Sequence, residues 1–397
     1  MNFDDTPAEA AWRAEVRDWI AANRLPVPAT RRRRDATSKW LPLARRWQSI
    51  KAKAGYVGLA WPAAWHGAER SVAEAIIFDQ EEAAVGLHFP FFEITLGLCI
   101  PTVASYADQG TIDRLAPSAM SGEAVWCQLF SEPGAGSDIA GLRTRAVRDG
   151  DDWVIDGQKV WTSGGQYADY GLLITRTNPH VPKHRGLTVF WLDLRTPGVE
   201  VRPIRQASGI SNFNEVFLTG VRIPDAQRLG AVDGGWGVTL TTLMNERVSI
   251  GDVGGPDIAA AIRLMEATPG ADHPAARHML VDHFIKSEGV RLTRARMLTA
   301  VSRGEKPGPE NAISKLVAAN EMQGLARDAL LARGPMGMVV EREEATTEGI
   351  FADSLTWSPG YRLAGGADEI LRTVIAERVL GLPVEPRQDK DRPFNDR

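Results

Sequence analysis

Cysteine is scarce in this sequence, because only Cys99 and Cys127 occur among 397 residues and they fit no Cys-x-x-Cys pattern. Two such residues cannot form a disulfide framework, so we expect both to be buried packing residues of a protein from a reducing compartment. Long apolar runs are absent as well, since no stretch reaches the roughly 18 residues that a membrane-spanning helix requires. The N-terminal segment lacks the apolar core of a signal peptide, and the sequence predicts a soluble, cytoplasmic protein.

An excess of basic charge is also missing. The chain has 46 Lys and Arg residues against 50 Asp and Glu residues, a formal net charge of −4 and a pI near 6.0. Proteins that bind nucleic acid carry a basic face, whereas the one dense basic run here, residues 31–34, is better explained as a solvated loop. With 44% hydrophobic and 24% charged residues the composition is that of a globular protein, and the length predicts two or three subdomains.

Common signatures of nucleotide-binding and hydrolytic sites do not occur. Residues 134–136 have the wrong spacing for Gly-x-Gly-x-x-Gly, and the sequence has no Walker A motif, no Gly-x-Ser-x-Gly elbow and no His-Glu-x-x-His pair. His273, His278 and His283 are five residues apart, which turns each side chain by about 140° from the last on a helix and prevents a shared metal ion. We therefore expect no metal site, no serine nucleophile and no doubly wound nucleotide-binding fold.

Residues 1–120 have the pattern of a helical domain. Thr6 and Glu9 form a capping box with Pro7 at the first helical position, and Ser71 begins a second box further along. After the first box, apolar residues recur at helical spacing opposite charges of both signs. This pattern indicates a helix packed on a core, because a membrane-surface helix would carry a strongly basic polar face.

Residues 121–232 change to the short, alternating pattern of strands. Asp156-Gly157 stands between two β-rich runs and predicts a hairpin turn, as does Asp149-Gly150 before it. Further strands are predicted at residues 172–175, 187–192, 199–204 and 215–218. Short strands at this spacing predict a small antiparallel barrel or sandwich.

Residues 233–397 return to helical periodicity. Helices are predicted at residues 238–250, 264–300, 311–331 and 368–380. Gly381 and Pro383 are the stop signal of the last one. The expected fold class is therefore α+β and mostly α, with an N-terminal helical domain, a central antiparallel β domain and a C-terminal four-helix bundle.

The segment from Trp126 to Ser163 carries the most specific signal. Its sequence QLFSEPGAGSD, followed further along by GQKVWTSG, resembles the flavin and thioester signature of the acyl-CoA dehydrogenases. The segments FNEVFLTGVRIP and GGADEILRTVIAERVLGLP extend the resemblance over nearly the full length, and the chain looks most like an actinobacterial subgroup that includes steroid side-chain dehydrogenases. The resemblance implies a flavoprotein that uses FAD to remove hydrogen across the Cα–Cβ bond of an acyl-CoA.

The resemblance also implies which residues surround the cofactor. Those expected to bind or border the flavin are Gln128, Phe130, Ser131, Gly136, Trp161 and Ser163. Ser137, in the same loop, would contact the CoA thioester arm. From composition alone Trp161 would be an ordinary barrel aromatic and the loop an ordinary surface turn, and only the matched motif favours binding.

The reaction requires a base that removes the α-proton. Where many members of the family carry a Tyr-Glu-Gly sequence, this chain has Ala364-Gly365-Gly366, and Gly365 cannot take a proton. The other position used in the family holds Glu246-Arg247. The resemblance therefore implies Glu246 as the base and Arg247 as a substrate-binding residue, while Gly365 would donate its N–H to the thioester oxygen. Outside the family, Glu246 would be interpreted as a solvated surface charge.

Many members of the family hold the adenine end of FAD with two sequence patterns that this chain lacks. Arg-x-x-Phe-Gly is missing near residues 267–277, and Gly-Gly-x-Gly is missing near residues 347–359. The assembly is therefore left open between a homodimer, a homotetramer and a hetero-oligomer in which a paralogous partner chain completes the site.

An electron-transfer flavoprotein is the expected electron acceptor. An acyl-CoA oxidase, a flavin monooxygenase and a non-catalytic partner subunit are the alternative functions. Apolar residues 88–101 and 240–245 are expected to wall a pocket for a fatty, branched or steroidal acyl group.

Overall fold

The computed structural model describes residues 5–27, 38–249, 257–268, 273–302, 308–338, 348–386 and 391–396. These residues form two compact units. The first unit contains residues 5–27, 38–249, 386 and 391–396, and the second contains the described residues from 257 to 385. No helix within these ranges is both long and apolar enough to cross a membrane.

The N-terminal part of the first unit is built from helices α1 (Pro7–Asn23), α2 (Leu41–Lys53), α3 (Val72–Ala84), α4 (Ile100–Tyr106) and α5 (Gln109–Met120). At α1 the Thr6 hydroxyl accepts the N–H of Glu9, and the Glu9 carboxylate accepts the N–H of Thr6. Ser71 and Glu74 repeat this arrangement at α3. Both predicted capping boxes are confirmed.

The apolar stretch after α3 is divided into short helical pieces. It forms a 3-10 turn (Pro90–Phe92), a π-helical turn (Thr95–Cys99) and α4. Pro101 lies in the first turn of α4, directly after the π-helical turn. Cys99 and Cys127 are both buried and free, so the prediction that they pack in the interior is confirmed. Other 3-10 turns are Ser38–Trp40, Ala63–Trp65, Ile139–Gly141, Gly165–Tyr167, Asp225–Gln227, Gly334–Met338 and Phe394–Asp396.

The middle of the chain forms a sheet with strands β1 (Trp126–Leu129), β2 (Arg145–Asp149), β3 (Asp152–Ser163), β4 (Tyr170–Arg176), β5 (Leu187–Asp193), β6 (Val199–Ile204), β7 (Phe213–Pro224) and β8 (Arg228–Leu229). The strand order is β6-β7-β3-β2-β4-β5-β8, and β1 pairs with β4. Pairing is antiparallel except for β1 with β4 and the short contact of β2 with β4. The predicted central β domain is confirmed.

Alternate side chains of the sheet belong to two cores. Leu173 and Phe190 lie in a core built from strand residues, whereas their neighbours Leu172 and Val189 pack in a second core with residues of α4 and α5. A strand buried on both faces places successive side chains in this alternating way. The helices and the sheet of the first unit therefore share one of its cores.

The turn predicted at Asp156-Gly157 is wrong. Strand β3 continues through both residues, and the chain reverses instead at Gly150. Gly157 lies at an irregularity in the pairing with β7, where a Cβ would be 2.7 Å from the Cα of Thr144. The Asp156 carboxylate accepts the N–H of Gly220 at 2.8 Å. Gly157 is therefore a glycine that allows close packing at a bulge inside a strand, and not a turn residue.

Helix α6 (Gly235–Ser249) belongs to the first unit, and the second contains α7 (Ile258–Glu266), α8 (Pro274–Ser302), α9 (Asn311–Ala332), α10 (Glu348–Leu363), α11 (Asp368–Val374) and a π-helical turn (Ile375–Val379). The single helix predicted over residues 264–300 is wrong, because α7 ends at Glu266 and α8 begins at Pro274. Pro269 and Gly270 stand between them in the sequence, and both residue types interrupt a helix.

Helix α10 has no counterpart in the prediction. Pro359 stands inside it, and a proline normally ends or kinks a helix. Phe351 of α10 is nevertheless fully buried, in the same cluster as Leu264 of α7 and Leu325 of α9. Packing of an apolar face therefore outweighs the local breaking signal here.

A buried charge cluster joins α2, α3 and the segment that follows α3. Glu82 is 2% exposed, accepts the indole N–H of Trp47 at 2.6 Å and pairs with Lys51 at 2.7 Å. His88 lies 3.4 Å from Glu82 and 2.9 Å from Glu93. Burial alone would lower the pKa of His88, but the two carboxylates raise that pKa to about 9.

Substituting His88→Gln should weaken the pH dependence of folding stability. A histidine whose pKa rises from 6.5 to about 9 on folding contributes stability that is complete below pH 6.5 and is lost as the pH rises through 9. Between pH 6.5 and pH 8 the wild-type protein should lose about 1.5 kcal/mol of unfolding free energy from this group. Urea unfolding at the two pH values measures the difference, and an equal loss in both proteins would contradict the assignment.

The C-terminal residues pack on the sheet of the first unit. The Phe394 N–H donates to the Val181 carbonyl at 2.9 Å, and its ring lies 3.6 Å from the guanidinium carbon of Arg176. Arg176 is buried and donates in turn to the carbonyls of Ala140 and Leu142. The tail therefore helps to hold the residues that lie between β1 and β2.

Candidate functional site

The loop that follows β1, residues 131–138, is called the Gly-rich loop below. Gln128 is half-buried on β1, and Phe130 is buried at the end of the strand. The Ser131 carbonyl accepts the N–H of Val160 at 2.9 Å, which fixes the start of the loop to β3. The structure thus places these three predicted residues at one end of β1, beside β3.

The Gly-rich loop turns tightly and leaves open space around its glycines. Glu132 and Ala135 exchange backbone hydrogen bonds of 3.0 Å. A Cβ added at Gly134 or Gly136 would meet no heavy atom within 4 Å, and Ser137 is exposed. Glycines in an open turn let backbone N–H groups approach an anionic ligand closely. The loop therefore has the form of a cradle that a phosphate-bearing cofactor can enter.

A buried ion pair lies at the base of this loop. The Nζ of Lys159 donates to Glu132 Oε1 at 2.8 Å and to the Phe130 carbonyl at 3.1 Å. Burial lowers the pKa of Lys159 to about 8. Burial would raise the pKa of Glu132, but Lys159 and hydrogen bonds from Thr144 and Arg143 hold it below its usual value. The sequence pattern does not identify this pair, because a lysine in a strand is normally exposed.

Trp161 has an unusual backbone conformation at the end of β3. Its φ of +60° lies in the left-handed region, which large residues rarely adopt, and the pairing with β7 is irregular over residues 159–162. Trp161 is 58% exposed, and its ring meets Phe213 edge-on at a centroid distance of 5.9 Å. Thr162 is buried beside it, and Ser163 is half-buried. A strained backbone of this kind costs about 1–3 kcal/mol and is concentrated at functional sites.

A cavity of about 260 Å³ opens next to the Gly-rich loop. It lies between residues 132–134, Thr144 and the bulge at Gly157. The Thr144 hydroxyl is buried and has no hydrogen-bond partner within the described residues. The concave space at this end of the sheet therefore combines open glycine backbone with an unused polar atom.

A larger cavity of about 970 Å³ lies among the helices of the second unit. His283 of α8 is buried there and is hydrogen-bonded to the carboxylates of Glu321 and Asp328 of α9. Within the described ranges, no group of three or more His, Cys, Asp or Glu side chains could hold a metal ion. His283 is thus tied into a network of helix-to-helix hydrogen bonds.

Helix α6 presents two different faces. Thr239 and Thr242 are fully buried, and the Thr242 hydroxyl lies 3.1 Å from that of Thr102 on α4. Leu240 and Met244 are 43% and 57% exposed. The helix is therefore anchored by hydroxyl contacts on one side and leaves apolar surface free on another.

The two predicted catalytic residues lie in different units. Glu246 and Arg247 belong to the last turns of α6, one turn beyond Thr242, and their side chains lie outside the described residues. Gly365 lies in the second unit, in the turn between α10 and α11, with a φ of +64°. Lys315 donates to the neighbouring Gly366 carbonyl at 2.6 Å, which holds this turn to α9. The catalytic roles of Glu246 and Gly365 stay predictions.

Three family models match the chain in succession. They describe the acyl-CoA dehydrogenase N-terminal domain at residues 6–123, the middle domain at residues 127–221 and the C-terminal domain at residues 233–380. The chain belongs to the acyl-CoA dehydrogenase family. It is an oxidoreductase of this family, whose members are FAD-binding flavoproteins.

Relatives of this acyl-CoA dehydrogenase include two from Mycobacterium tuberculosis. The chain is 39% identical over 349 residues to the acyl-CoA dehydrogenase FadE34, an alignment that covers 86% of this chain and 47% of that protein. It therefore spans about half the length of FadE34. It is 33% identical to the acyl-CoA dehydrogenase IpdE1, with 95% of this chain and 98% of that protein covered.

Two solved structures with the same architecture have names that join two components. The Tcur3481-Tcur3483 steroid ACAD superposes with a TM-score of 0.82 at 29% identity, covering 97% of this chain and 100% of that chain. The ChsE4-ChsE5 complex from Mycobacterium tuberculosis gives a TM-score of 0.79 at 27% identity, with the same coverage of both chains. The family assignment thus holds for both sequence and fold.

Proposed function

We propose that this acyl-CoA dehydrogenase binds FAD at the Gly-rich loop and Trp161 and catalyses α,β-dehydrogenation of a ring-bearing acyl-CoA. The observation that carries the proposal is the conformation of Trp161, which is 58% exposed at a φ of +60°. A bulky apolar ring in a strained backbone gains stability when it packs against a flat ligand. The Gly-rich loop, joined to β3 just before Trp161, supplies open backbone for the phosphates of such a ligand.

The residues that would hold FAD come from β1, the Gly-rich loop and the end of β3. They are Gln128, Phe130, Ser131, Gly136, Trp161 and Ser163. Trp161 would pack on the ring, and the hydroxyls of Ser131 and Ser163 would hydrogen-bond its polar edge. Ser137, exposed on the same loop, would meet the CoA arm. When bound, FAD accepts the hydride that leaves Cβ of the substrate.

Proton removal is proposed for helix α6. The Glu246 carboxylate would take the α-proton, and Arg247 would contact the substrate. Leu240 and Met244, exposed on the same helix, would cover the acyl chain and exclude water from the reacting bond. The Gly365 N–H is proposed to donate to the thioester oxygen, because such a hydrogen bond stabilises the negative charge that develops when the α-proton leaves.

The proposed substrate class rests on the structural neighbour described as a steroid ACAD. A fused-ring acyl group is wide and rigid, and it requires a broad apolar wall. The exposed apolar face of α6 is compatible with that requirement. We therefore place ring-bearing acyl-CoA thioesters ahead of straight-chain ones.

The proposed partners are an electron-transfer flavoprotein and a second dehydrogenase chain. The acceptor is the one that the family resemblance implies, because a reduced flavin must pass its electrons to an oxidant before the next turnover. A second chain is suggested by the two neighbours, whose names each join two components. It is also suggested by the missing sequence patterns for the adenine end of FAD.

Anaerobic titration of the purified yellow protein with a panel of acyl-CoA thioesters tests this function. Steroid side-chain thioesters should bleach the flavin faster than cyclohexanecarbonyl-CoA or palmitoyl-CoA, because the apolar wall is proposed to fit fused rings. Slow reoxidation in air supports a dehydrogenase, whereas rapid reoxidation would indicate an oxidase or monooxygenase. A colourless protein that gains FAD only with a co-expressed second chain would indicate a non-catalytic or shared-site subunit, and native mass on the same sample gives the assembly.

A further inference from the structure

One buried ion pair connects three segments at the proposed flavin site. Lys159 has no exposed side-chain surface, and Glu132 is 8% exposed. The Lys159 Nζ donates to Glu132 Oε1 at 2.8 Å and to the Phe130 carbonyl at 3.1 Å. The Glu132 carboxylate also accepts the backbone N–H groups of Arg143 at 2.6 Å and Thr144 at 2.9 Å. The pair therefore joins β3, the Gly-rich loop and the residues before β2.

Each end of this pair stands next to a residue proposed to touch the flavin. Glu132 directly follows Ser131, and Lys159 comes two residues before Trp161. Between them, the Val160 N–H donates to the Ser131 carbonyl at 2.9 Å. A change in the Lys159–Glu132 distance would therefore move Ser131 relative to Trp161.

Stability alone does not explain a charge pair at this depth. Apolar side chains of similar volume are often as stabilising as a buried ion pair, whereas removing one partner leaves an uncompensated charge that is strongly destabilising. The Glu132 carboxylate accepts three hydrogen bonds, from Lys159 and from two backbone N–H groups. These bonds favour one arrangement of the three segments over others. A defined arrangement of this kind is what a binding loop requires before its ligand arrives.

We propose that Lys159 and Glu132 are positioning residues for FAD, and that their ion pair sets the spacing between Ser131 and Trp161 so that the loop binds FAD tightly only while Lys159 is protonated. This inference rests on the proposed function, namely that FAD binds at the Gly-rich loop. It adds a pH-dependent control of cofactor retention to that function.

The pH range follows from the surroundings of the amine. Burial lowers the pKa of Lys159 to about 8, Glu132 opposes this change, and the nearby Arg176 guanidinium adds to it. The positioning charge is therefore present below pH 8 and is lost as the pH rises above it. If only the protonated form binds, the dissociation constant for FAD should increase by about tenfold for each pH unit above the midpoint.

Measuring the equilibrium binding of FAD to the apoprotein between pH 6.5 and 10 tests the inference. Flavin fluorescence and the shape of the absorption band of the bound flavin report the binding. Glu132→Gln keeps the side-chain size but removes the charge that favours protonated Lys159, so the midpoint should move to lower pH. Lys159→Met should bind FAD more weakly than wild type below pH 8 and should show no midpoint. A purely structural role for the pair would not move the midpoint.

A matched control is available at the other end of the same loop. Lys183 pairs with Asp138 at 2.8 Å, and Asp138 is 59% exposed. Lys183→Met makes the same chemical change to an ion pair whose lysine and aspartate side chains are 15% and 59% exposed, and it should leave the midpoint where it is in wild type. If Lys159→Met fails to fold, the midpoint of Glu132→Gln alone decides.

The possible outcomes distinguish the inference about the Lys159–Glu132 pair from the proposed function on which it rests. A wild-type chain that binds FAD with a midpoint near pH 8, shifted by Glu132→Gln and not by Lys183→Met, supports the inference. Equal midpoints and equal flavin spectra in all three proteins overturn it and leave the proposed function intact. Failure of the wild-type chain to bind FAD at pH 7, both alone and together with the co-expressed second chain, overturns both.

Discussion

Glu246→Gln should abolish bleaching of the flavin by substrate while the protein keeps its FAD. Glutamine has nearly the shape of glutamate but cannot accept the α-proton, so the loss falls on the chemical step. Positioned general bases contribute about 10²–10⁴-fold to a rate, and we expect the rate of flavin reduction to fall by at least about 100-fold. Stopped-flow reduction under anaerobic conditions measures this rate directly.

The control for this variant is Glu288→Gln, which removes a glutamate from another helix. Glu288 forms an i,i+3 pair with Arg291 at 2.7 Å on the surface of α8. Surface pairs of this kind contribute little to stability, so this variant should reduce its flavin at the wild-type rate. Undiminished reduction in Glu246→Gln, with FAD content equal to wild type, would show that another group removes the proton.

The sequence predicts the elements whose causes are local. The capping boxes at Thr6 and Ser71 depend on residues three positions apart, and both form as expected. The strands between residues 170 and 224 follow from short β-rich runs and from turn residues close by in sequence. Elements of this kind need no knowledge of their tertiary neighbours.

Where the prediction is wrong, a distant contact decides the structure. Asp156-Gly157 has the sequence of a hairpin turn, but Gly157 faces the backbone of Thr144, and this packing cannot be read from the residues beside it. Helix α10 forms in spite of Pro359, because Phe351 completes an apolar cluster with α7 and α9. In both cases the tertiary environment overrides a local signal.

The candidate site shows the same division. The Gly-rich loop is recognisable in sequence, because its spacing is part of a family motif. The left-handed conformation of Trp161 and the burial of Lys159 are not, since each depends on the register of β3 against its neighbours. A charged residue inside a matched strand segment is the one sequence signal that points toward the Lys159–Glu132 pair.

Gly157→Ala should destabilise the fold and weaken cofactor binding together. A Cβ at this position would lie 2.7 Å from both the Cα and the Cβ of Thr144, which is 1% exposed and cannot move into solvent. Overpacking of this kind costs about 1–3 kcal/mol and occasionally more, and the involvement of backbone places this variant near about 3 kcal/mol. Because the Thr144 N–H donates to Glu132 at 2.9 Å, displacement of Thr144 also disturbs the Gly-rich loop.

Gly110→Ala provides the comparison, because it adds the same methyl group to a glycine in α5. The added Cβ would lie 3.4 Å from its nearest neighbour, Asp108 Oδ1, which is an ordinary contact distance. Alanine is the better helix former by about 1 kcal/mol, so this variant should be as stable as wild type or slightly more stable. Urea unfolding followed by circular dichroism, with FAD affinity measured on the same samples, distinguishes the two. Equal unfolding midpoints for Gly157→Ala and wild type would show that Thr144 can move away from residue 157 at little cost. The link from Thr144 through Glu132 to the loop would then lose its physical basis.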